Sequence, residues 1–176
     1  MNTQEILRFL GITKRDAEIE KLIECQWTEV DTFAVKRHSF VPFSILSPPF
    51  PLEGEDIKRH LEGCKNGYFF VATLGSGIDT LLRKKQLTSM RDAIVFDAAA
   101  SSYLEEYCDA LCEEYSKSHT LTSRFSPGYG DFPLSVQPAL LKAANADKIG
   151  LSALPSLMMV PTKSVSAIIG IKEPMK

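Results

Sequence analysis

The chain has 176 residues, of which 44% are hydrophobic and 24% are charged, a balance typical of a globular protein with a buried core. Its 20 basic and 22 acidic side chains give a formal net charge of −2, so no basic field is available to bind nucleic acid or an anionic membrane. No apolar run approaches the roughly 20 residues that cross a bilayer.

The N-terminal segment and the cysteines predict a location in the reducing cytoplasm. MNTQEILRFLG lacks the basic start and apolar centre of a secretory signal, and four scattered cysteines do not form a disulfide scaffold. Cys108 and Cys112 stand four residues apart on a predicted helix and could clamp a metal ion, but no histidine completes a ligand pattern. We favour helix packing for both thiols and predict no metal site.

The first quarter of the chain predicts two helices followed by extended structure. Thr3 to Leu10 is expected to be a short helix ended by Gly11, and Thr13-Lys14-Arg15-Asp16 resembles a capping box that starts a second helix. From Thr32 to Leu46 the residues are dense in β-branched and aromatic side chains, which indicates a strand pair or one bent strand. Pro42 favours an edge position or a break.

The next segments predict a loop, a short helix and a buried strand. Ser47 to Pro51 is rich in proline and connects to a helix over Glu55 to Leu61, and the apolar run from Gly67 to Gly75 is a strand. Gly75-Ser76-Gly77 then opens another helix, a pattern that invites a nucleotide-binding interpretation. Thr80 replaces the third glycine of that fingerprint, so a tight turn in the core is the better interpretation.

A long acidic helix is predicted after Ser89, which can cap it, and ends near Ser118. Glu105 and Asp109 lie one turn apart at the border of its apolar stripe. Two carboxylates in that position could receive an ammonium group and favour a sulfonium, or could belong to a solvated face of the helix.

The run RFSPGYGDFPL, from Arg124 to Leu134, has the periodicity of neither a helix nor a strand. Its two prolines restrict φ and its two glycines permit φ > 0, so a stiff loop can expose its backbone N–H and C=O groups. Arg124 adds a planar fork of donors suited to a carboxylate or a phosphate. The alternative interpretation is an ordinary surface turn with a solvated arginine.

The C-terminal part predicts one helix and three strands. Ser135 is expected to cap a helix that ends near Ala144, and strands are expected over Ile149 to Leu154, Leu157 to Val160 and Ser164 to Ile171. Helices and strands are therefore mixed without a βα repeat, which argues for an α+β fold with a mainly antiparallel sheet. The same absence argues against a Rossmann-type fold.

Two segments of the chain, and the order in which they follow one another, resemble the activation (reactivation) domain of cobalamin-dependent methionine synthase. The first is RFSPGY, starting at Arg124, and the second is SLMMVPTKSVS, from Ser156 to Ser166. The resemblance is closest from about Arg124 to Gly170. It implies a bent antiparallel sheet flanked by helices and one module over 1–176, with N-terminal helices at about 3–30 and the sheet, long helix and loop at about 32–172.

In the family that the chain resembles, the domain binds S-adenosylmethionine, and the methyl group passes to a reduced corrinoid. Arg124 would then grip the carboxylate of the cofactor, Tyr129 would stack and orient, and Glu105 would offset the positive groups. No general acid, base or nucleophile is needed, so no catalytic residue is predicted. The residues that the resemblance assigns to cofactor binding are Arg124, Ser126, Pro127, Gly128, Tyr129, Gly130 and Glu105.

The resemblance implies a free-standing component of a methyltransferase that works in trans. The chain lacks the Asp-x-His-x-x-Gly motif that supplies a cobalt ligand, so the cobalamin is expected on a partner, a cobalamin-dependent methionine synthase or another corrinoid protein. A flavodoxin-like protein is a candidate reductant. The alternative is a docking or accessory protein that does not bind S-adenosylmethionine.

The chain departs from the family pattern at two places. Ala153-Leu154-Pro155-Ser156 stands where the family has Leu-Thr-Glu-Ser, and Ile168 and Ile169 stand where it has a tyrosine. Arg124 and the backbone from Ser126 to Gly130 are therefore expected to carry more of the binding. Ser164 and Ser166 could contact the ligand or hold their strand, and the structural role is favoured.

Overall fold

The computed structural model describes residues 1–12 and 16–172. Its helices are α1 (Thr3–Phe9), α2 (Ala17–Phe33), α3 (Glu55–His60), α4 (Ser76–Thr88), α5 (Met90–Ser116) and α6 (Gln137–Ala143). Its strands are β1 (Arg37–Ser44), β2 (Cys64–Thr73), β3 (Thr120–Leu121), β4 (Ser152–Ala153), β5 (Met159–Val160) and β6 (Ser164–Lys172). None of the helices in these two ranges combines the length and the apolar character that a membrane span requires.

Four strands form one antiparallel sheet in the order β1-β2-β6-β3. The central pair is β2 and β6, in which Thr73 lies opposite Ser164 and Gly67 opposite Gly170. A separate hairpin joins β4 to β5. The predicted α+β class, with an antiparallel sheet flanked by helices, is confirmed.

Both faces of the central strands are covered by helices. Side chains alternate between the faces of a strand, so Phe70 and Ala72 join the core built with α1, α2, α4 and α5. Their neighbours Phe69 and Val71 join a second core that includes residues of α3 and α6. This double coverage explains why β2 appears in the sequence as a continuous apolar run.

At the N-terminal side, α2 differs from its prediction at both ends. The side chain of Asp16 caps it by accepting a hydrogen bond from the Ile19 amide at 2.8 Å, while residues 13–15 of the proposed capping box lie outside the described residues. The helix continues through Phe33, so Thr32 is helical and not extended. One strand follows it, and Pro42 lies on that strand at the edge of the sheet, as predicted.

After α5, two predictions are wrong in detail and one strand was not predicted. Ser135 does not cap α6, because it lies in a 3₁₀ turn over Leu134–Val136, and Ile149 ends a second such turn instead of starting a strand. The two residues of β3 were missed. A strand this short has no periodicity of its own and exists because β6 offers it a partner.

Candidate functional site

The predicted binding loop leaves the sheet beside β6. Phe125 and Ile168 exchange two backbone hydrogen bonds of 3.0 and 2.9 Å, so the chain is still paired with the sheet one residue after Arg124. Because α5 packs on one face of the same sheet, this pairing sets the position of Arg124 relative to α5.

Within the loop, backbone hydrogen bonds close a tight turn. The Gly128 amide donates to the Phe132 carbonyl at 2.8 Å, and the Phe132 amide donates to the Tyr129 carbonyl at 3.0 Å. The Phe132 side chain is 1% exposed and belongs to the second core. The turn is thus anchored by a buried ring, while Tyr129 at its tip is 60% exposed.

The loop is also locked to the start of α3. The Asp131 carboxylate accepts hydrogen bonds from the amides of Glu55 at 2.6 Å and Asp56 at 3.0 Å, and so caps the helix. The Asp131 amide in turn donates to the Asp56 carboxylate at 3.3 Å. A Cβ on Gly130, whose φ is in the left-handed region at +53°, would displace that carboxylate, so glycine suits the position. The loop is held at its far end as well as at the sheet.

The Arg124 guanidinium joins the loop to the acidic face of α5. Its Nη2 donates to Glu105 Oε2 at 2.6 Å and lies 3.0 Å from Asp109 Oδ1. Two carboxylates against one guanidinium leave a formal charge of −1. The two acidic residues therefore lie at a charged cluster with the loop arginine, and not on a merely solvated face.

Arg124 retains hydrogen-bonding capacity inside this cluster. The side chain is 18% exposed, and its Nη1 is buried. Burial works to lower the pKa of Arg124, but the neighbouring acidic groups, Glu105 and Asp109 among them, outweigh it and the pKa is raised. The guanidinium stays charged. Apart from a hydrogen bond to the Cys112 thiol, which is a weak acceptor, its Nη1 has no partner in the chain, which is unusual for a buried polar group.

The two cysteines of α5 border the same cluster as neutral thiols. Burial raises the pKa of the Cys108 thiol, and it raises that of Cys112 although Arg124 acts in the opposite direction. Cys108 is fully buried in the first core, as helix packing requires. Over residues 1–12 and 16–172, no three His, Cys, Asp or Glu side chains are grouped as metal ligands.

Two cavities adjoin the loop. The first, which we call the polar cavity, has a volume of about 290 Å³, and its lining includes Glu105, Asp109, Cys112, Arg124, Ser126 and Tyr129. The second, the methionine cavity, has a volume of about 360 Å³, and its lining includes Pro127, Leu134, Leu157, Met158, Met159 and Ser166. Ser126, Tyr129 and Val165 line both. A charged recess and an apolar recess therefore meet at the loop.

The structure brings most of the sequence-predicted site residues to these cavities. Arg124, Glu105, Ser126 and Tyr129 line the polar cavity, and Pro127 lines the methionine cavity. Neither glycine lines either cavity. Gly128 and Gly130 act instead through the turn that they allow, with φ of +91° and +53°.

Several lining residues were not predicted for the site. Asp109 was weighed with Glu105, and its spacing of one helical turn was the available signal. Val165 and the methionine pair lie in the second segment of the resemblance, but no pattern distinguished them from core residues. Ile168 and Ile169 are fully buried and line neither cavity, so the strand contributes Val165 and its serines instead.

Ser164 has a structural role whether or not it also contacts a ligand. Its Oγ donates to the Pro161 carbonyl at 2.7 Å and lies 2.8 Å from Thr73 Oγ1 on the neighbouring strand. These bonds hold the start of β6 against β2.

A strained residue borders the methionine cavity. Leu157 lies in the turn of the β4–β5 hairpin with φ of +68°, a conformation that disfavours a side chain by roughly 1–2 kcal/mol. Its amide donates to the Leu154 carbonyl at 2.8 Å, and the Leu154 amide donates to Met158 at 2.9 Å. The hairpin hydrogen bonds hold Leu157 in this conformation beside the cavity.

Comparisons with known proteins identify a solved structure with a similar fold. No protein-family profile matches the sequence, and no curated protein matches it. The crystal structure described as the MetH reactivation domain bound to AdoHcy matches with a TM-score of 0.63 at 15% sequence identity. The match covers 96% of this chain and 70% of the other. At this identity the likeness establishes a shared fold.

We predict that Asp131→Ala lowers the stability of the protein at pH 7, because α3 loses its cap and the loop loses its lock. The hydrogen bonds from Glu55 and Asp56 hold the pKa of Asp131 below the ordinary value of 3.8. The contribution is therefore present above about pH 3.8 and is lost as the pH falls through the folded pKa. Urea unfolding should show a gap between wild type and variant that narrows below pH 4.

The matched control is Glu113→Ala, which removes an exposed carboxylate from α5. A stability gap of the same size and pH dependence for both variants would contradict the capping role.

We also predict that Leu157→Gly is more stable than Leu157→Ala by about 1 kcal/mol. Both variants lose the leucine side chain, but only glycine relieves the strain at positive φ. At ordinary positions in helices or strands the order is the reverse. Equal urea midpoints, or a more stable alanine variant, would show that the turn is not strained.

Proposed function

We propose that the chain binds S-adenosylmethionine at the loop and acts in trans to remethylate the cobalamin of a methionine synthase. The observation that carries the proposal is the charged cluster of Arg124, Glu105 and Asp109 at a cavity that adjoins an apolar one. It is supported by the shared fold with a domain whose structure is described as bound to AdoHcy, S-adenosylhomocysteine.

The polar cavity fits the amino-acid end of this cofactor. The unpaired Nη1 of Arg124 can donate to a carboxylate, and the Glu105 and Asp109 carboxylates can accept from an ammonium. The surplus negative charge of the cluster also favours a sulfonium. The carboxylate, ammonium and sulfonium of S-adenosylmethionine therefore each have a group of opposite charge in this cavity.

The methionine cavity fits the adenosyl end. Tyr129 lies between the two cavities and is exposed, so its ring is free to stack on a purine. Met158 and Met159 provide a polarizable apolar wall, and backbone groups near Ser126 can hydrogen-bond adenine or ribose. The junction at Tyr129 would place the sulfonium close to the carboxylates.

The residues of this chain contribute binding and orientation. When bound, S-adenosylmethionine supplies a sulfonium methyl group that the reduced cobalt of a partner can accept, leaving S-adenosylhomocysteine. Arg124 fixes one end of the cofactor, and the α3 lock through Asp131 keeps the loop in place. Such rigid placement favours an in-line transfer without an acid or a base from the chain.

We further propose that the chain is one module that works with a separate corrinoid protein in the cytoplasm. The N-terminal helices contribute Ile6, Ile23 and Val30 to the same core as the sheet, which supports one unit. All four cysteines are free thiols, which suits a reducing compartment. A flavodoxin-like protein would supply the electron that reduces the cobalt.

One observation favours the alternative of an accessory protein without a cofactor. Arg124 already has two carboxylate partners in the chain, so the cluster is stable without a ligand carboxylate. In that case the loop would serve as a docking surface for the corrinoid partner. Binding of S-adenosylmethionine by the isolated chain distinguishes the two functions.

We predict that the wild-type chain binds S-adenosylmethionine in calorimetry and that Arg124→Ala weakens the affinity by about tenfold or more, the value of one charge-assisted hydrogen bond. The control is Arg91→Ala, which breaks the exposed ion pair with Glu18 and lies away from the loop. Circular dichroism verifies that both variants fold. Equal affinities for the two variants would refute the carboxylate clamp, and no heat with wild type would favour the accessory function.

A second prediction concerns activity. The chain, S-adenosylmethionine and a one-electron reductant should together restore methylcobalamin and methionine formation in a methionine synthase that lacks its C-terminal domain and holds oxidised cobalt. Arg124→Ala should restore less, because the methyl donor is poorly held. Methylcobalamin is followed by its absorbance, and methionine is measured directly. If both form to the same extent without the chain, an action in trans is refuted.

A further inference from the structure

Two buried polar side chains line the methionine cavity. They belong to Gln137 and Ser166, and each of these residues is only 3% exposed. Neither side chain forms a hydrogen bond within residues 1–12 and 16–172. Buried polar groups in proteins are nearly always hydrogen-bonded, so two that lack a partner at one cavity indicate that the partner comes from outside the chain.

Gln137 occupies a position where packing alone would favour an apolar residue. It begins α6 and shares a face of that helix with Leu140 and Leu141, which are both buried in the second core. Its backbone N–H donates to the Leu134 carbonyl, and its side chain does not cap the helix. The amide of Gln137 is therefore not needed for the local structure.

The Gln137 amide opens onto the cavity. Gln26, the other buried glutamine, has its Oε1 fully enclosed without a partner, whereas neither amide atom of Gln137 is enclosed in this way. The small exposed part of Gln137 therefore includes its amide, and the recess that this part reaches is the methionine cavity. A primary amide presents an acceptor and a donor side by side, here in a recess with apolar walls.

We propose that Gln137 recognises the adenine of S-adenosylmethionine and makes the site specific for a 6-aminopurine, an inference that rests on the function proposed for the loop. Adenine presents its amino group next to a ring nitrogen, which is a donor beside an acceptor. A glutamine amide matches this edge with a pair of hydrogen bonds, as it does when proteins read adenine in DNA. Among the described residues, no charged side chain lines the methionine cavity, which suits a neutral base.

The neighbouring groups complete a slot for a flat base. Met158 and Met159 form an apolar wall, and the exposed ring of Tyr129 lies where the methionine cavity meets the polar cavity. Ser166, on the central strand β6, adds a hydroxyl that can donate or accept. A few placed polar groups in a largely apolar recess are the usual means by which a site fixes the orientation of a ligand.

The variant Gln137→Met tests this role, because it keeps the length of the side chain and removes both polar groups. Adenosine and purine riboside, which lacks the 6-amino group, are titrated by calorimetry as competitors of S-adenosylmethionine. We expect the wild-type chain to prefer adenosine by about tenfold and the variant to lose this preference. The urea midpoint of the variant should equal or exceed that of wild type, because no hydrogen bond within the chain is lost.

The matched control is Gln86→Met, the same substitution at an exposed position on α4, which should keep the wild-type preference. If wild type binds S-adenosylmethionine but does not prefer adenosine, or if Gln137→Met keeps the preference, the role of Gln137 is overturned and the proposed function stands. If wild type does not bind S-adenosylmethionine, the proposed function fails and this inference falls with it. Should Gln137→Met not fold, Gln137→Leu is measured under the same criteria.

Discussion

The antiparallel pairing of β2 with β6 is the constraint on which the other parts of the protein depend. It assigns Phe69 and Phe70 to opposite faces of the sheet and thereby creates two cores, each covered by its own helices. The free edge of β6 then pairs first with β3 and next with Phe125. The loop can place Arg124 beside α5 only because this edge is available.

The charged cluster at the loop connects the loop to α5 and lines the polar cavity. Arg124 is mostly buried, whereas Asp109 is largely exposed, so the solvent weakens the attraction between these two groups. The pair with Glu105 is closer and better shielded. A cluster with one buried unpaired donor and surplus negative charge is better suited to a polar, positively charged ligand than to an apolar one.

Rigidity is distributed unevenly around the two cavities at the loop. The loop side is held by the Asp131 cap, the buried Phe132 ring and the bridge to β6. The hairpin side is a pair of two-residue strands with Leu157 in a strained turn. A ligand that spans both cavities would therefore meet one firm wall and one wall that a small change in backbone can alter.

The sequence alone predicted the elements that have strong local signals. Ser89 caps α5, the apolar run of β2 is a buried strand, and the absence of βα repeats led to the α+β class with an antiparallel sheet. The motif around Arg124 indicated a stiff loop, and helical spacing placed Glu105 and Asp109 on one border of a helix. These features depend on neighbours in the chain, so a single sequence contains them.

The tertiary structure decided what depends on distant partners. β3 exists only through β6, and the cap of α3 comes from Asp131, more than 70 residues further along the chain. The resemblance assigned Arg124 and Glu105 to one site, but only the packing of the loop on α5 shows that they bind one another and that Asp109 joins them. Contacts between remote segments follow from packing and register, which local patterns do not encode.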